Sequence, residues 1–415
     1  MSAPTLVTWG LIAAAIAALL VRPFRWPEFV WPLAAALALC LGGLLPVYEA
    51  LHAVWRGADV YFFLTGMMIA SELARQEGVF DYLAKWAAWH ADGSARRLFL
   101  LVYGVGTLIT MFMSNDATAV VLTPAVLAVT RVAKVKNPLP YLYACAFVAN
   151  AASFVLPISN PANLVIFQQH MPSLGAWLLR FGLPSLASIF ATFAALRYAE
   201  RAALRDPLPA AGERSSLSDT GKWTAAGLLF MAAVMLGASA CGLSLGWPTL
   251  AAGAVLLAAV CLRKRVSPVD CLKQVSWGVI PLVAGLFVLV QAAEGTGAVT
   301  VVVGWLQQAS QGSAGTAWAA GMATALASNL ANNLPVGLLA GSVVAAAHPP
   351  HAVSGAVLIG VDLGPNLSVT GSLATLLWLG ALRREDVHVD AWRFLKLGAV
   401  VMLPALILSL AVLAI

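Results

Sequence analysis

Met113-Ser-Asn-Asp-Ala-Thr-Ala-Val-Val-Leu-Thr-Pro124 is a run of polar side chains set inside otherwise apolar sequence. Side chains that ionise or hydrogen-bond are costly at membrane depth, and where they occur there they face a cavity or a pathway. We call residues 114–118 the first polar motif. A second polar motif, Ala327-Ser-Asn-Leu-Ala-Asn-Asn-Leu-Pro335, lies about half a chain later. The two motifs predict a polar site built inside a membrane protein.

The composition places the chain among helical membrane proteins with several spans. Of its 415 residues, 61% are hydrophobic and only 10% are charged, and the mean hydropathy is +0.86. A soluble domain is about half apolar and about one-quarter charged. Many apolar runs also reach the ~20 residues that a helix needs to cross a bilayer. The sequence therefore predicts an all-α polytopic membrane protein whose surroundings are the lipid bilayer.

The net charge of +6 is explained by short basic connections. Lys and Arg residues concentrate in the cytoplasmic loops of membrane proteins, and nothing in the chain is typical of a nucleic-acid-binding module. No Walker motif and no His-Glu-x-x-His motif occurs. We therefore expect a protein that is not an enzyme, that needs no cofactor and that does not bind nucleic acid.

The hydropathy pattern predicts about ten spans and two re-entrant helical hairpins. The first span falls at residues 6–21 and the last at residues 394–413. Residues 79–90 are short and amphipathic, and we interpret them as a helix lying along the membrane interface. The basic residues after the spans place both termini on the outer side of the membrane.

The first polar motif is predicted to be the tip of a hairpin. Each arm between the motif and the flanking charges is short for a bilayer crossing, and both ends of the segment are basic. The flanking residues are Arg96 and Arg97 before the motif, and Arg131, Lys134 and Lys136 after it. Because positive charge at both ends puts both ends on one side, the chain returns to the cytoplasm with Asn115 and Asp116 at its tip.

Two spans are predicted to be broken in their middle. Pro157-Ile-Ser-Asn-Pro-Ala-Asn163 and Asp362-Leu-Gly-Pro-Asn-Leu-Ser-Val-Thr-Gly-Ser372 contain prolines and glycine that interrupt a helix. We call these segments the first break and the second break. A half-helix that starts after a break presents free amide hydrogens to a ligand. The side chains and backbone predicted to accompany them are Ser159, Asn160, Asn163, Thr370, Gly371 and Ser372.

The chain is predicted to contain two related halves, residues 1–196 and 223–415, joined by a cytoplasmic linker at residues 197–222. Gly66, Gly78 and Trp86 are matched, at one constant offset along the chain, by Gly285, Gly297 and Trp305. Asn115 is matched with Asn332 at nearly the same offset, which sets Asn333 opposite Asp116. The second hairpin has no flanking Lys or Arg, so the halves are predicted to be inverted copies.

Both polar motifs and the run Asp362-Leu-Gly-Pro-Asn-Leu-Ser-Val-Thr-Gly-Ser-Leu-Ala-Thr-Leu-Leu-Trp378 resemble the arsenite efflux permease family, within the ion transporter superfamily. The similarity in segment order extends from about residue 59 to residue 413. The resemblance implies extrusion of trivalent arsenite and antimonite across a bacterial inner membrane. It also admits a soluble arsenite-stimulated ATPase as a partner.

The predicted site suits an uncharged solute. Arsenite near neutral pH is mainly a trihydroxide, which hydroxyl groups, amides and half-helix amide hydrogens can bind without a cation. The proposed binding residues are Ser114, Asn115, Asp116, Thr118, Ser159, Asn160, Asn163, Asn332, Asn333, Thr370, Gly371 and Ser372. No fixed metal ligands are expected: arsenite or antimonite is the transported solute, and Cys145 is interpreted as a packed hydrophobic residue.

Uphill transport requires coupling, and we interpret it as proton antiport through Asp116, with Asp362 as the second candidate. A carboxyl group whose surroundings alternate between dry and wet can exchange a proton. The competing role for each aspartate is to cap a helix. A sodium-coupled carboxylate transporter or a sodium/proton exchanger of the same superfamily stays open as an alternative, as does a permease energised by an ATPase partner.

Overall fold

The structure, a computed structural model, describes residues 2–168, 171–208, 216–309 and 314–414. In these residues the regular secondary structure is helical, and the one isolated β-bridge joins Ser94 to Pro207. The prediction of an all-α protein is confirmed. Residues 209–215, within the predicted linker, lie outside the described part of the chain.

The first half contains eleven α-helices among the described residues, separated in places by short 3₁₀ or π-helical segments. Short 3₁₀ helices lie at Pro23–Arg25, Pro157–Ser159 and Ala203–Arg205, and a π-helical turn lies at Thr118–Leu122. The α-helices are α1 (Ala3–Val21), α2 (Val30–Leu41), α3 (Val47–Arg56), α4 (Ala58–Gln76), α5 (Val79–Ala91), α6 (Ala95–Met113), α7 (Asn115–Ala117), α8 (Thr123–Val132), α9 (Leu139–Ala151), α10 (Pro161–Ile166) and α11 (Leu174–Ala199).

The second half contains ten α-helices among the described residues. A 3₁₀ turn at Gly364–Leu367 lies inside the second break. The α-helices described here are α12 (Asp219–Ala240), α13 (Gly246–Lys264), α14 (Pro268–Leu272), α15 (Val279–Gly295), α16 (Ala298–Ala309), α17 (Ala314–Ala331), α18 (Asn333–Ala347), α19 (His351–Leu363), α20 (Leu373–Arg384) and α21 (Ala391–Leu413).

Six described helices are long and apolar enough to cross a bilayer: α1, α6, α11, α12, α13 and α21. The number rises to seven if α15 and α16, which are bent by 71° at Gly297, count as one span. About ten spans were predicted, and the described residues contain six or seven helices of sufficient length; α2, α9 and α18 are apolar but shorter. The segment predicted to lie along the membrane interface is helical and forms α5, with Trp86 and Trp89 partly exposed; its position at the interface stays a prediction.

Glycines repeated between the halves have the same structural roles in both. Gly78 lies just after the end of α4 and has φ of 70°, and Gly297 lies just after the end of α15 and has φ of 81°. A Cβ on Gly66 would meet the Thr249 carbonyl oxygen of α13 at 2.4 Å, and a Cβ on Gly285 would meet Pro32 of α2 at 2.9 Å. Each half thus packs its glycine-bearing helix against a helix of the other half.

The first hairpin folds back at Ser114. Thr110 and Thr118 share a hydrogen bond of 2.8 Å between their hydroxyl groups, although a continuous helix would separate these two residues by about 12 Å. Ser114 makes the reversal with φ of 113°. The arm α6 has 19 residues and is long and apolar enough to cross a bilayer, so the prediction of short arms is wrong for α6.

The second hairpin breaks at Asn332, whose φ is 72°, and its arms α17 and α18 pack together. The position of this break corrects the pairing that matched Asn115 with Asn332. Ser114 and Asn332 are equivalent, because each is the single residue of positive φ between two helices. Asn115 therefore corresponds to Asn333, and Asp116 corresponds to Leu334.

The helix caps indicate which residues of the first break and the second break occupy equivalent positions. Asn160 and Ser372 each cap the half-helix that follows: the Asn160 side chain accepts from the Ala162 N–H at 3.0 Å, and the Ser372 hydroxyl accepts from the Thr375 N–H at 3.1 Å. The same spacing along the chain relates Asn150 to Asp362, each of which is the penultimate residue of its helix.

Candidate functional site

Four helix ends converge on a small cavity in the middle of the molecule. Its volume is about 20 Å³. Asn115 and Asp116 contribute from the first hairpin tip, and Asn333 and Leu334 contribute from the second. The half-helix starts supply Asn160, Pro161, Leu373 and Ala374, while Leu64, Val279 and Val283 close the sides. We call this space the central cavity.

Both hairpin tips hold an unusual backbone conformation beside the cavity. Ser114 and Asn332 have positive φ without being glycine, a conformation that L-residues adopt at a cost and that is found at functional sites. The Asn333 N–H donates to the Gly371 carbonyl oxygen at 2.8 Å, which ties the second tip to the second break. A π-helical turn, itself common at functional sites, follows the first tip at Thr118–Leu122.

Asn115 and Asp116 are the polar groups of the first tip without internal partners. Asn115 is buried, and its Oδ1 atom has no hydrogen-bond donor among the described residues. Asp116 is half-buried and makes no hydrogen bond or ion pair within the described part of the chain. Its side chain does not cap α7, which has no side-chain cap. Buried acceptors without donors are costly, so this tip is suited to receive hydrogen bonds from a bound solute.

Asp362 is placed differently from Asp116. Its carboxylate is completely buried and accepts two hydrogen bonds of 2.8 Å, from Ser153 Oγ and from Asn160 Nδ2. It does not line the central cavity. Asp362 instead joins the second broken helix to the first break, and it orients Asn160, which does line the cavity.

Three predicted binding residues of the first half use their side chains inside the scaffold. The Thr118 hydroxyl bonds Thr110, the Ser159 hydroxyl donates to the Met111 carbonyl oxygen at 2.9 Å, and the Asn163 amide donates to the Ser153 carbonyl oxygen at 2.8 Å. None of the three lines the central cavity. They hold the first hairpin and the first break together.

The predicted residues of the second half divide in the same way. Asn333 lines the cavity, whereas Asn332 caps α18 and donates to the Thr370 carbonyl oxygen at 3.3 Å. The Gly371 carbonyl oxygen accepts from Asn333, and a Cβ on Gly371 would meet Pro365 at 2.5 Å. Thr370 and Ser372 therefore shape the backbone around the cavity instead of facing it.

Several residues of this region were not found by sequence reasoning. The Asn329 amide donates to the Gly364 carbonyl oxygen at 2.9 Å, which fastens the second hairpin to the second break. The Asn150 amide donates to Asn366 Oδ1 at 3.0 Å, across the two halves. One signal for Asn150 was present in the sequence. The spacing between Asn160 and Ser372 is also the spacing between Asn150 and Asp362, so Asn150 holds the position in the first half that Asp362 holds in the second.

Two larger cavities accompany the central cavity, one lined by the first hairpin and one by the second. The first vestibule, about 650 Å³, is lined by the first hairpin and reaches Arg384 and Glu385, next to Arg131 at the hairpin base. It shares Leu64, Asp116 and Val279 with the central cavity. The second vestibule, about 700 Å³, lies along the second hairpin. Among the described residues, it has no lining residue in common with the central cavity. The first vestibule therefore borders the central cavity, at Leu64, Asp116 and Val279.

Related polar clusters stand at the two vestibules. Beside the first, Arg75 pairs with Glu72 at 2.6 Å and hydrogen-bonds Gln274. Beside the second, Arg56 donates to Gln291 at 2.5 Å and lies 3.6 Å from Glu294, which also accepts from Ser342 of the second hairpin. Gln291 and Glu294 follow Glu72 and Arg75 at the offset that relates the repeated glycines. The second cluster fastens the second hairpin to α15 through Ser342 and Glu294.

The central cavity carries little charge. Asp116 is the only ionisable residue that lines it, and no Lys, Arg, His or Cys among the described residues does. In the same described ranges, no three His, Cys, Asp or Glu side chains are grouped as they would be around a metal ion. The polar side chains of the lining are therefore three amides, Asn115, Asn160 and Asn333, and one carboxyl group, Asp116.

Interrupted helices that meet at a polar cavity, in a structure with six or seven described helices able to cross a bilayer, are typical of a polytopic membrane transporter. The particular family follows from comparison with known sequences. The profile of the CitMHS family, described as citrate transporters, matches residues 5–365, and the chain belongs to this family.

The resemblance to arsenite permeases is confirmed by curated relatives. An arsenical pump membrane protein of Escherichia coli is 27% identical over 406 residues, which cover 92% of each chain. Its counterpart from Yersinia enterocolitica is 26% identical over 402 residues, covering 92% of this chain and 91% of the relative. An uncharacterized transporter of Mycobacterium tuberculosis is 26% identical over 368 residues, covering 85% of this chain and 84% of the relative.

A solved structure shares the fold. The YdaH transporter of Alcanivorax borkumensis, reported to have an unusual topology, aligns with a TM-score of 0.56, and the alignment covers 100% of this chain and 98% of that one. Its sequence identity is 16%. This likeness concerns the fold alone.

Proposed function

We propose that the protein extrudes trivalent arsenite, and with it antimonite, from the bacterial cytoplasm across the inner membrane by proton antiport with alternating access. The observation that carries the proposal is the central cavity, which presents Asn115, Asp116 and Asn333 and no cationic side chain among the described residues. The similarity to arsenical pump membrane proteins supports the same substrate.

The chemistry of the solute matches these groups. Arsenous acid is a small pyramidal molecule with three hydroxyl groups, each able to donate and accept a hydrogen bond. The unpartnered Oδ1 of Asn115 offers an acceptor, and Asn333, whose side chain makes no hydrogen bond with the described residues, offers both an acceptor and a donor. Antimonous acid presents the same set of hydroxyl groups.

Asp116 is the proposed coupling group. It lies on the boundary between the central cavity and the first vestibule, so that it meets water on one side and the bound solute on the other. A carboxyl group in this position can lose its proton to the open vestibule and regain one after the cavity opens to the opposite face. Asp362, held by two donors within the scaffold, is the weaker candidate.

The distribution of basic residues supports the direction of transport. The first vestibule opens beside Arg131 and Arg384, and basic ends face the cytoplasm. On this proposal the first vestibule is the cytoplasmic entrance for the solute. In this orientation both termini lie outside, and the two halves (residues 1–196 and 223–415) are inverted copies joined by a cytoplasmic linker.

Carboxylate transport is the second candidate, because the family is described as citrate transporters. Polyvalent carboxylates are commonly held by Arg or Lys, and the described lining of the central cavity has neither. A carboxylate would rely on the amide hydrogens at the starts of α10, α18 and α20. The cavity therefore favours arsenite over citrate.

The test measures arsenite uptake into everted membrane vesicles that contain the protein. Three energy sources are compared: an imposed pH gradient, an imposed sodium gradient, and ATP with a soluble arsenite-stimulated ATPase. We expect uptake that follows the pH gradient and is abolished by a protonophore. Uptake that depends on sodium and is indifferent to pH, or uptake of citrate without arsenite, would overturn the proposal.

A further inference from the structure

Two cysteines that are close in the chain meet in the fold. Cys261, near the end of α13, and Cys271, in the short helix α14, bring their sulfur atoms to 3.8 Å. Both side chains are buried, and all five cysteines of the chain are free thiols. A disulfide has a sulfur–sulfur distance of about 2.05 Å, so these are two separate thiols in van der Waals contact.

The pair is held in place by its surroundings. Ser267 caps the start of α14, and its hydroxyl accepts from the Val269 N–H at 3.3 Å. Gln76 at the end of α4 donates to the Cys271 carbonyl oxygen at 3.4 Å, and Lys264, one helical turn after Cys261, pairs with the buried Glu77 at 2.6 Å. Two helix ends and a capped turn therefore fix the relative position of the thiols.

We propose that Cys261 and Cys271 form a dithiol site that chelates trivalent arsenic or antimony. The identification of the natural ligand rests on the proposed function, whereas the binding chemistry rests on the two thiols alone. Soft thiolates suit soft ions. Zinc would require four ligands, and the described residues offer no third His, Cys, Asp or Glu to the pair. Trivalent arsenic is satisfied by two sulfur atoms and one hydroxyl group.

The reaction exchanges ligands on arsenic without any change of oxidation state. Arsenous acid and the two thiols give a dithioarsenite that keeps one hydroxyl group, with release of two water molecules. Two As–O bonds and two S–H bonds break, two As–S bonds form, and the thiol protons leave in the water. Two sulfur atoms bound to one arsenic atom lie farther apart than the two sulfur atoms of a disulfide. The thiols, whose sulfur atoms are 3.8 Å apart, therefore need little rearrangement.

The site lies beside the entrance to the transport route. Residues 274–276, which follow Cys271 closely, line the first vestibule, and Gln274 hydrogen-bonds Arg75. The dithiol site is thus separated from the vestibule by a single turn of chain. An arsenical bound there would join α13 to α14 and would hold the substrate element next to the open mouth of the transporter.

The experiment uses full-length purified protein, reduced and then freed of reductant, with phenylarsine oxide as the probe. Phenylarsine oxide bridges two thiols with loss of one water molecule. We expect one phenylarsenic group per chain by intact-mass spectrometry, removed by 2,3-dimercaptopropanol but not by an equal concentration of 2-mercaptoethanol. Cys261→Ser and Cys271→Ser should each weaken binding by roughly 100-fold, because the chelate is lost.

Cys40→Ser and Cys241→Ser are the matched controls and should keep one group per chain. Since a buried serine can disturb folding, arsenic X-ray absorption on the unmodified protein with arsenite provides an independent reading: two sulfur neighbours are expected. A single sulfur neighbour, unchanged binding in Cys261→Ser, or a reduced pair that takes up no arsenical would overturn the site. Binding is measured without a membrane gradient, so its failure is distinct from a failure of arsenite flux.

Discussion

The side-chain amide of Asn160 donates a 2.8 Å hydrogen bond to the carboxylate of Asp362. Asn160 belongs to the first half and lines the central cavity, whereas Asp362 belongs to the second half and is completely buried. Ser153 donates to the other carboxylate oxygen, also at 2.8 Å. The cavity wall in one half is therefore positioned by a carboxyl group of the other half.

Replacement of Asp362 by asparagine should damage both stability and transport. Asparagine has one carbonyl oxygen where the carboxylate offers two, so its amide group would face a donor of Ser153 or Asn160. A buried donor left without an acceptor costs about 1–3 kcal/mol. We expect a lower melting temperature for purified D362N and arsenite flux reduced at least about 10-fold. D219N, at an exposed position, is the control; equal behaviour of the two variants would contradict the bridging role.

Replacement of Asp116 by asparagine should separate coupling from binding. The substituted residue keeps its size and polarity but cannot carry a proton between the vestibule and the cavity. We expect D116N vesicles to lose arsenite uptake driven by a pH gradient, while exchange of labelled for unlabelled arsenite without a gradient persists. D92N, on an exposed turn, provides the comparison. Undiminished gradient-driven uptake by D116N would remove Asp116 from the coupling mechanism.

Truncation of Asn115 should weaken substrate binding. Its Oδ1 atom is buried without a donor among the described residues, and a solute hydroxyl would supply the missing hydrogen bond. The loss of one such bond, worth about 1.4 kcal/mol, corresponds to a KM raised about 10-fold. Initial rates of arsenite uptake measure this change for N115A. N137A, in the loop before α9, should keep the original KM, and the same KM in N115A would exclude Asn115 from the site.

Addition of a methyl group at Gly66 should force the halves apart. The new Cβ would lie 2.4 Å from the Thr249 carbonyl oxygen, which belongs to the backbone of α13 and cannot turn away. Overpacking of this kind costs about 1–3 kcal/mol. We expect G66A to melt at a lower temperature than the unmodified protein in detergent. G104A is the control, because no atom lies within 4 Å of its added carbon; equal melting of both variants would contradict close packing at Gly66.

The class of protein and the places where its helices break follow from local sequence. Long apolar runs, and the prolines and asparagines that interrupt them, are properties of neighbouring residues, so α9 and α19 end close to the predicted breaks. The hairpin tip at Ser114, immediately before Asn115, lies within the motif from which the prediction started. Gly78 and Gly297, which the sequence matched by their spacing, both adopt positive φ.

The assignment of polar residues to the site was only partly predictable. Asn115, Asp116, Asn160 and Asn333 line the central cavity, but Thr118 and Ser159, which share their motifs, point into the scaffold. The side chain of a polar residue in a broken helix hydrogen-bonds either to a ligand or to a backbone group that the break leaves without a helical partner. Its sequence neighbours do not distinguish these two roles, because the choice depends on which carbonyl oxygen lies nearby.

The sequence by itself determined an all-helical membrane protein with two interrupted regions and a polar centre, because hydropathy and helix-breaking residues act along the chain. Only the tertiary structure decided that Asp362 serves Asn160 from the other half, that Asp116 is equivalent to Leu334 and not to Asn333, and that Cys261 meets Cys271. Contacts of this kind arise where two halves pack against each other or where a turn brings helix ends together. The three-dimensional packing of helices sets them, and no local pattern of residues specifies it.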